Sequence, residues 1–276
     1  MTSPQSVLRV YDARIKRAQL LTARLAFAAQ ILSFYESVAS FQKNLSTHFL
    51  NTRKNQPRSF SLLANRDTLD LSNILPHVRP FLQMVQQTGP RNLADAASQL
   101  SSRKPETWLD LLHSFWQTGG HPKPSTNAFE QFFPRAILQP CAEVAASEFP
   151  ARETTETPNL CPLCGSQPLL GVLRPEGDGA KRFLLCSFCS HEWGFRRIFC
   201  PSCGEDTEAK LPVYVAEQFA HIRVEACETC STFLRTIDLT KDGHAVPLVD
   251  DLAAIPLSLW AHERNFSALQ SNLLGT

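Results

Sequence analysis

The sequence lacks the motifs by which common enzyme classes are recognised. It contains no glycine-rich phosphate loop and no nucleophile elbow. His191-Glu192 begins like the helical motif of zinc proteases, but Phe195 occupies the position of the second histidine, so the pair of zinc ligands cannot form. The sequence therefore offers no conventional catalytic site.

Long uncharged apolar segments are also missing. The run from Leu20 to Tyr35 follows basic residues as in a signal peptide, but Arg24 interrupts it and the run continues as a helical pattern. No other segment approaches the length that a membrane span requires. We therefore expect no membrane span and a cytoplasmic location, where thiols remain reduced.

The chain as a whole has little net charge, but its two halves differ. The formal net charge is +1, with 16 Lys and Arg against 10 Asp and Glu in residues 1–150 (net +6), and 11 against 16 in residues 151–276 (net −5). Proteins that bind DNA or RNA need positive charge to neutralise the phosphates. The acidic second half therefore argues against nucleic acid as a partner.

What the sequence does contain is a cysteine-rich region between residues 161 and 230. Eight of the nine cysteines form four Cys-x-x-Cys pairs. Two such pairs supply the tetrahedral four-sulfur site that zinc or iron prefers, so four pairs predict two metal sites. The predicted ligands are Cys161, Cys164, Cys186, Cys189, Cys200, Cys203, Cys227 and Cys230. The ninth cysteine, Cys141, sits among Ala and Val and is expected to be a buried apolar side chain.

The spacing of the four pairs indicates that they combine in chain order as two consecutive ribbons. Loops of 21 and 23 residues lie within the two ribbons and leave room for a hairpin, whereas only ten residues separate the ribbons. Each ribbon opens with a Cys-Pro-x-Cys-Gly knuckle, whose glycine supplies a positive φ, and closes with a Cys-x-x-Cys-Ser turn. A closed four-thiolate site has no open coordination position, so each site is structural or electron-transferring.

Residues 1–150 predict an α-helical bundle. Apolar side chains recur at steps of three and four from Phe27 to Leu45, which predicts one long first helix over about Val7–Phe49 with Arg14 and Arg17 on its polar face. This helix offers a face through which the chain could form a homodimer. Proline and glycine delimit the later segments, which are Leu75–Gln87, Asn92–Leu100, Pro105 to about Trp116, and a pair of segments capped by Asn127, broken by Pro134 and Pro140 and ending near Phe149.

The whole chain is predicted to be an α+β protein. Its expected parts are a helical domain at 1–150, a polar linker at 151–160, a first four-cysteine ribbon at 161–195, a second at 196–240, and a C-terminal helix and tail at 241–276. Short strands are expected at Phe183–Leu185, Trp193–Phe199, Pro212–Val215, Ile222–Glu225 and Phe233–Leu239. Asp250 and Asp251 are expected to begin one closing helix, where acidic residues suit the helix dipole.

Four stretches of the second half resemble the FdhE family of formate dehydrogenase accessory proteins. They are CPLCGSQP from Cys161, LCSFCSHEWGFRRIFCPSCGED from Leu185, ACETCSTFLRTIDL from Ala226 and DDLAAIPLSLWAHE from Asp250. The resemblance covers about residues 158–266 and is looser over the first 150 residues. The cysteine pairs of the family fall on the eight predicted ligands without a gap.

The resemblance implies two tandem rubredoxin-like (zinc-ribbon-like) modules on a helical domain, each holding one iron through four thiolates, with zinc as the alternative metal. It implies a cytoplasmic maturation factor without turnover of its own. Such a factor binds the catalytic subunit of respiratory formate dehydrogenase before twin-arginine export and is sensitive to redox state through its iron sites. Two alternatives stay open: a nucleic-acid-binding tandem ribbon protein, suggested by Arg196-Arg197, and a rubredoxin-like electron carrier or thiol oxidoreductase.

Overall fold

The computed structural model describes residues 4–52, 71–118, 128–149 and 158–275. The chain divides into two compact units, one spanning residues 1–150 and the other residues 151–274. Most of the predicted linker at 151–160 and the predicted cap Asn127 lie outside the described residues. Among the helices of the described ranges, none combines the length and the apolar composition needed to cross a bilayer.

The first unit begins with a helical hairpin, so the prediction of one long helix is wrong. Helix α1 (Pro4–Arg24) ends at Leu25, whose backbone leaves the helical region at φ −119° and ψ 84°. A short 3-10 turn then leads into α2 (Ala29–Thr52), which packs back along α1. The apolar period continues through the break without glycine or proline, so the local pattern carries no stop signal.

The next three helices follow the prediction closely, whereas the last one does not. They are α3 (Leu75–Thr88), α4 (Arg91–Ser101) and α5 (Pro105–Gln117). Helix α6 (Ala128–Ala146) runs through Pro134 and Pro140 as one helix, where two broken segments were expected. Every residue from 132 to 146 is buried, and this packing outweighs the backbone hydrogen bonds that the two prolines remove.

A buried ion pair lies inside the helical unit. The guanidinium of Arg14 donates to both carboxylate oxygens of Glu143 at 2.8 and 3.1 Å, and the hydroxyl of Tyr11 donates to the same carboxylate. Arg14 and Arg17 are only 3% and 7% exposed, so their predicted place on a polar surface is wrong. The acidic partner of Arg14 is 129 residues away, which no local periodicity can reveal.

The second unit is built on one seven-stranded sheet with the order β3-β2-β1-β6-β5-β4 and β7 beside β6. The strands are β1 (Pro168–Glu176), β2 (Gly179–Cys186), β3 (Glu192–Gly194), β4 (Val213–Val215), β5 (Ile222–Cys227), β6 (Thr232–Asp238) and β7 (Ser267–Ala268). Strands β1 to β3 form the first ribbon and β4 to β6 the second, each with antiparallel pairing. The strand predicted over Trp193–Phe199 is reduced to β3, and β1 was not predicted at all.

The two ribbons meet where β1 and β6 run side by side in parallel. Gly171 of β1 lies opposite Thr236 of β6, and a Cβ atom on Gly171 would stand 2.2 Å from the Thr236 hydroxyl oxygen. Only glycine permits this close approach of the strands. The ribbons are therefore halves of one continuous sheet rather than two separate modules.

Two short helices cover one face of the sheet, where a single closing helix was expected. Helices α7 (Pro247–Ala253) and α8 (Ile255–Glu263) are separated at Ala254, whose φ of −91° and ψ of 22° interrupt the helix. An apolar core forms between these helices and the strands, and includes Val224, Phe233, Ile237 and Leu257.

Candidate metal centres

Two knuckles with the same backbone geometry carry the first cysteine pair of each ribbon. The N–H of Gly165 donates to the carbonyl of Cys161 at 2.9 Å, and the N–H of Gly204 donates to that of Cys200 at 3.0 Å. Both glycines have the predicted left-handed backbone, with φ of 72° and 82°. Because glycine adopts this conformation without strain, the Cys-Pro-x-Cys-Gly sequence forms the tight turn twice.

The closing turns also match each other. Ser190 and Ser231, which follow the second cysteine pair of each ribbon, both have a φ of 54°. In the first ribbon the backbone N–H groups of Phe188 and Cys189 each lie 3.4 Å from the sulfur of Cys186. Such N–H groups stabilise a thiolate, because they place positive partial charge beside the sulfur.

The structure brings all eight predicted cysteines together in two groups that follow chain order. The groups are Cys161, Cys164, Cys186 and Cys189 in the first ribbon, and Cys200, Cys203, Cys227 and Cys230 in the second. Within each group the sulfur atoms lie within 4.8 Å of one another, and sulfur atoms of the knuckle and the closing turn approach to between 3.4 and 3.7 Å. A tetrahedral centre with metal–sulfur bonds of about 2.3 Å requires sulfur separations of about 3.8 Å. The donor set and its spacing therefore fit zinc or iron.

Disulfide bonds do not explain these groups. All nine cysteines are thiols, and the shortest sulfur separation within the two groups, 3.4 Å, far exceeds the roughly 2.05 Å of a disulfide. Cys141 belongs to neither group and is buried in α6 at 3% exposure, as predicted. The chain thus provides eight candidate ligands in two sets of four.

The two candidate centres differ in their access to solvent. All four cysteines of the first group are buried, whereas in the second Cys203 is exposed and Cys230 is half-buried. Phe188, which lies between Cys186 and Cys189 in the chain, is only 2% exposed. Reagents in solution therefore reach the second centre more easily than the first.

The thiols of each group differ in acidity. In the first group, hydrogen bonds from the other three cysteines hold the pKa of Cys164 well below its usual value, whereas burial raises the pKa of Cys186 well above it. In the second group, burial raises the pKa of Cys227 to about 12. Burial also acts to raise the pKa of Cys230, but hydrogen bonds, first among them that with Thr232, lower it to about 6. Each group thus pairs a thiol that ionises readily with thiols whose protons a metal must displace.

Among the described residues, no histidine takes part in either group. A separate cluster in the second unit contains His221, Asp242 and Asp250, with His221 Nε2 2.8 Å from a carboxylate oxygen of Asp250. Asp250 also accepts a hydrogen bond from the N–H of Val246 at 2.7 Å, just before α7 begins. The structure therefore gives this carboxylate a role in starting a helix.

A cleft that the sequence did not reveal lies beside the second group. It encloses about 450 Å³, and Cys200 and Cys227 form part of its lining. Arg182 and Arg223 also line it, and both pair with Glu225, at 2.6 and 3.1 Å. The cleft was missed because its lining comes from segments that are distant in sequence.

Comparison with known proteins identifies the family. The models of the FdhE central domain and the FdhE C-terminal domain match residues 160–197 and 198–274. A protein FdhE homolog of Aquifex aeolicus (strain VF5) is 30% identical over 257 residues, which cover 91% of this chain and 88% of that protein. The chain belongs to the FdhE family.

Other FdhE proteins show how far the likeness extends. A protein FdhE homolog of Pseudomonas aeruginosa is 36% identical over 128 residues, but the match covers only 44% of this chain and 40% of that relative. The crystal structure of the FdhE protein from Pseudomonas aeruginosa shares the fold, with a TM-score of 0.69 at 23% identity, over 98% of this chain and 96% of that one. The resemblance found in the sequence and the α+β fold class are thereby confirmed.

Proposed function

We propose that this FdhE-family protein is a metal-binding accessory factor for the maturation of formate dehydrogenase. It acts in the cytoplasm, binds the catalytic subunit of the enzyme before twin-arginine export, and has no catalytic turnover of its own. The observation that carries the proposal is the family membership, which rests on a match to 88% of a relative. The two four-cysteine groups support it, since closed sulfur sites suit a structural or redox role better than hydrolysis.

The eight cysteines would hold one metal ion in each ribbon, and we propose iron, with zinc as the alternative. Both metals accept four thiolates in tetrahedral geometry. Bound iron would supply a one-electron couple, whereas zinc would stabilise the fold without redox chemistry. The contribution of the chain is to preform both groups by the knuckle geometry and to keep water away from the first through burial.

The decisive test of the function combines deletion of the gene with purification of the tagged chain and identification of the subunit that it binds. In cells grown on formate, the deleted strain should lose formate dehydrogenase activity, and the wild-type chain should restore it. The tagged chain should also recover the catalytic subunit from the cytoplasmic fraction. Full enzyme activity in the deleted strain would contradict the proposal.

Metal analysis with an optical spectrum of the freshly purified protein decides which metal is present. Ferric four-sulfur sites absorb visible light, whereas zinc sites are colourless. Two equivalents of iron per chain with visible absorption would support iron, and two equivalents of zinc without colour would support the alternative. Folded protein without metal would overturn both.

A rubredoxin-like electron carrier is the second candidate, and the exposure of Cys203 favours it. An electron carrier needs a metal ligand near the surface, and the second group provides one where the first does not. Reversible one-electron reduction at a physiological potential, with transfer to a partner enzyme, would support this function. Salt-sensitive binding to DNA or RNA would instead support the nucleic-acid alternative.

A further inference from the structure

Strand β4 is an open edge of the sheet. It pairs with β5 on one side and stands last in the strand order. The N–H of Ala226 donates to the carbonyl of Pro212 at 3.0 Å, and the N–H of Glu228 donates to that of Lys210 at 3.0 Å. Since bonding alternates along an antiparallel pair, the N–H and C=O groups of Val213 and Val215 point away from β5. Among the described residues, no backbone group pairs with them.

The side chains of this edge are apolar and face solvent. Val213 and Val215 are 52% and 64% exposed. Tyr214 points to the other face, where its ring lies 4.7 Å from that of Trp260 and fixes the register of the strand. Natural proteins usually protect such edges with charged side chains, proline or bulges, because an open apolar edge invites another strand. Strand β4 is short, at three residues, and follows Pro212, yet it presents two exposed valines on one face.

The cleft described above borders the same edge. Val213 lines it together with Leu211 and with Ile198, which is 45% exposed. Three arginines and two glutamates contribute charge to the lining, so the arginines are in excess. Arg197 is the exposed arginine of this set, and no acidic side chain of the described residues forms an ion pair with it. The cleft therefore combines an apolar floor with one available positive charge.

We propose that β4 is the docking edge for an extended segment of the client polypeptide. The segment adds as a strand beside Val213–Val215, lays an apolar side chain over the cleft and places a carboxylate against Arg197. The main-chain groups of the edge give affinity, and the cleft selects the side chains. This inference rests on the proposed function, since the client is the catalytic subunit of formate dehydrogenase.

The test uses the purified, metal-loaded full chain and the purified catalytic subunit, with the dissociation constant measured by biolayer interferometry. Val213→Pro removes an outward N–H without touching the bonds between β4 and β5, and proline is tolerated on edge strands in this orientation. We expect about tenfold weaker binding, because one strand-pairing hydrogen bond and the fit of the segment are lost. Val213→Thr keeps the N–H and the shape, and should remain within about twofold of wild type.

Three further variants separate edge pairing from side effects. Val215→Lys places a charge on the edge without altering the backbone and should also weaken binding, whereas Leu259→Lys, at an equally exposed apolar position of α8, should not. Arg197→Gln should weaken binding and reduce its salt dependence, since one charge pair is removed. Metal content and circular dichroism verify that each variant is folded.

The outcomes are distinguishable. If the wild-type chain binds the catalytic subunit and the three edge and cleft variants bind equally well, the docking edge is wrong and the proposed function stands. If the wild-type chain does not bind the subunit, the proposed function and the docking edge fail together. If the edge variants abolish a dimer of the chain and leave the affinity for the subunit unchanged, the edge serves a second copy and the proposal is overturned.

Discussion

The replacement Gly171→Ala tests the claim that the two ribbons form one sheet. The new methyl carbon would lie 2.2 Å from Oγ1, 3.1 Å from Cβ and 3.2 Å from Cγ2 of Thr236, all within contact distance of a fully buried side chain. Rotation of the threonine side chain relieves the contact with the oxygen but not the contact with its Cβ. The strands must therefore move apart, and overpacking of this kind costs about 2 kcal/mol.

This cost should appear as a lower melting temperature of the second unit. For residues 151–274, unfolding carries an entropy of about 0.26 kcal/mol/K, so a loss of about 2 kcal/mol lowers Tm by about 8 °C. The measurement is thermal unfolding of the metal-loaded chain by circular dichroism. Gly194→Ala is the matched control, because its added Cβ meets no atom within 4 Å, and it should shift Tm by less than about 2 °C.

A double-mutant cycle shows whether Thr236 is responsible. Thr236→Ala removes two of the three atoms that meet the new methyl group, so Gly171→Ala should cost about 1 kcal/mol less in that background. If Gly171→Ala leaves Tm within 2 °C of wild type, or if the two replacements are additive, the close parallel contact between the ribbons is refuted.

Three further predictions concern the centres and the helical unit. Cys164→Ser and Cys203→Ser should each lower the metal content from two ions to one per chain, and metal analysis that still finds two ions would contradict the assignment. Glu143→Gln removes the carboxylate that faces the buried Arg14 and should destabilise the helical unit by about 3 kcal/mol in denaturant unfolding. Because burial raises the pKa of Cys227 to about 12, metal binding at neutral pH releases its proton. The affinity should therefore rise about tenfold per pH unit for this proton, as a chelator competition at pH 6.5 and 8 would show.

The two four-cysteine groups could be predicted from the sequence because their geometry is local. Each Cys-x-x-Cys turn is set by four or five consecutive residues, and Gly165 and Gly204 mark the positive φ that such a turn requires. The grouping in chain order followed from loop lengths. Cys230 shows the limit of this reasoning, since its exposure depends on which strands and loops surround it.

The junction between the ribbons could not be predicted, because strand β1 carries no alternating pattern. Its sequence, PLLGVLRPE, is buried continuously over the first six residues, and strands buried on both faces lose the period of two. Its parallel pairing with β6 joins residues about 65 positions apart, as for Gly171 and Thr236. In the sequence, the sign of this pairing is limited to Gly171, an isolated glycine inside an apolar run.

The prediction for the helical unit failed for the opposite reason, because tertiary packing outweighed clear signals in the local sequence. Pro134 and Pro140 predict breaks, yet the buried surroundings of α6 hold one continuous helix. At Leu25 the helix does end, although the apolar period predicts that it continues. Helices in proteins owe most of their stability to packing, and neither position can be judged without the neighbours that pack there.

The two ribbons, although built alike, are suited to different tasks. The first group is closed off from solvent and belongs to the ribbon whose strand β1 anchors the sheet, so its metal would mainly hold the fold. In the second ribbon, Cys227 ends β5, and β5 is the strand to which the edge strand β4 is bonded. A metal that fixes Cys227 therefore also fixes the end of β5 and, through it, the edge and the cleft. Because Cys203 exposes this candidate centre to solvent, a dissolved oxidant or chelator would reach the second ribbon before the first. The second ribbon is also the one that carries the proposed docking edge.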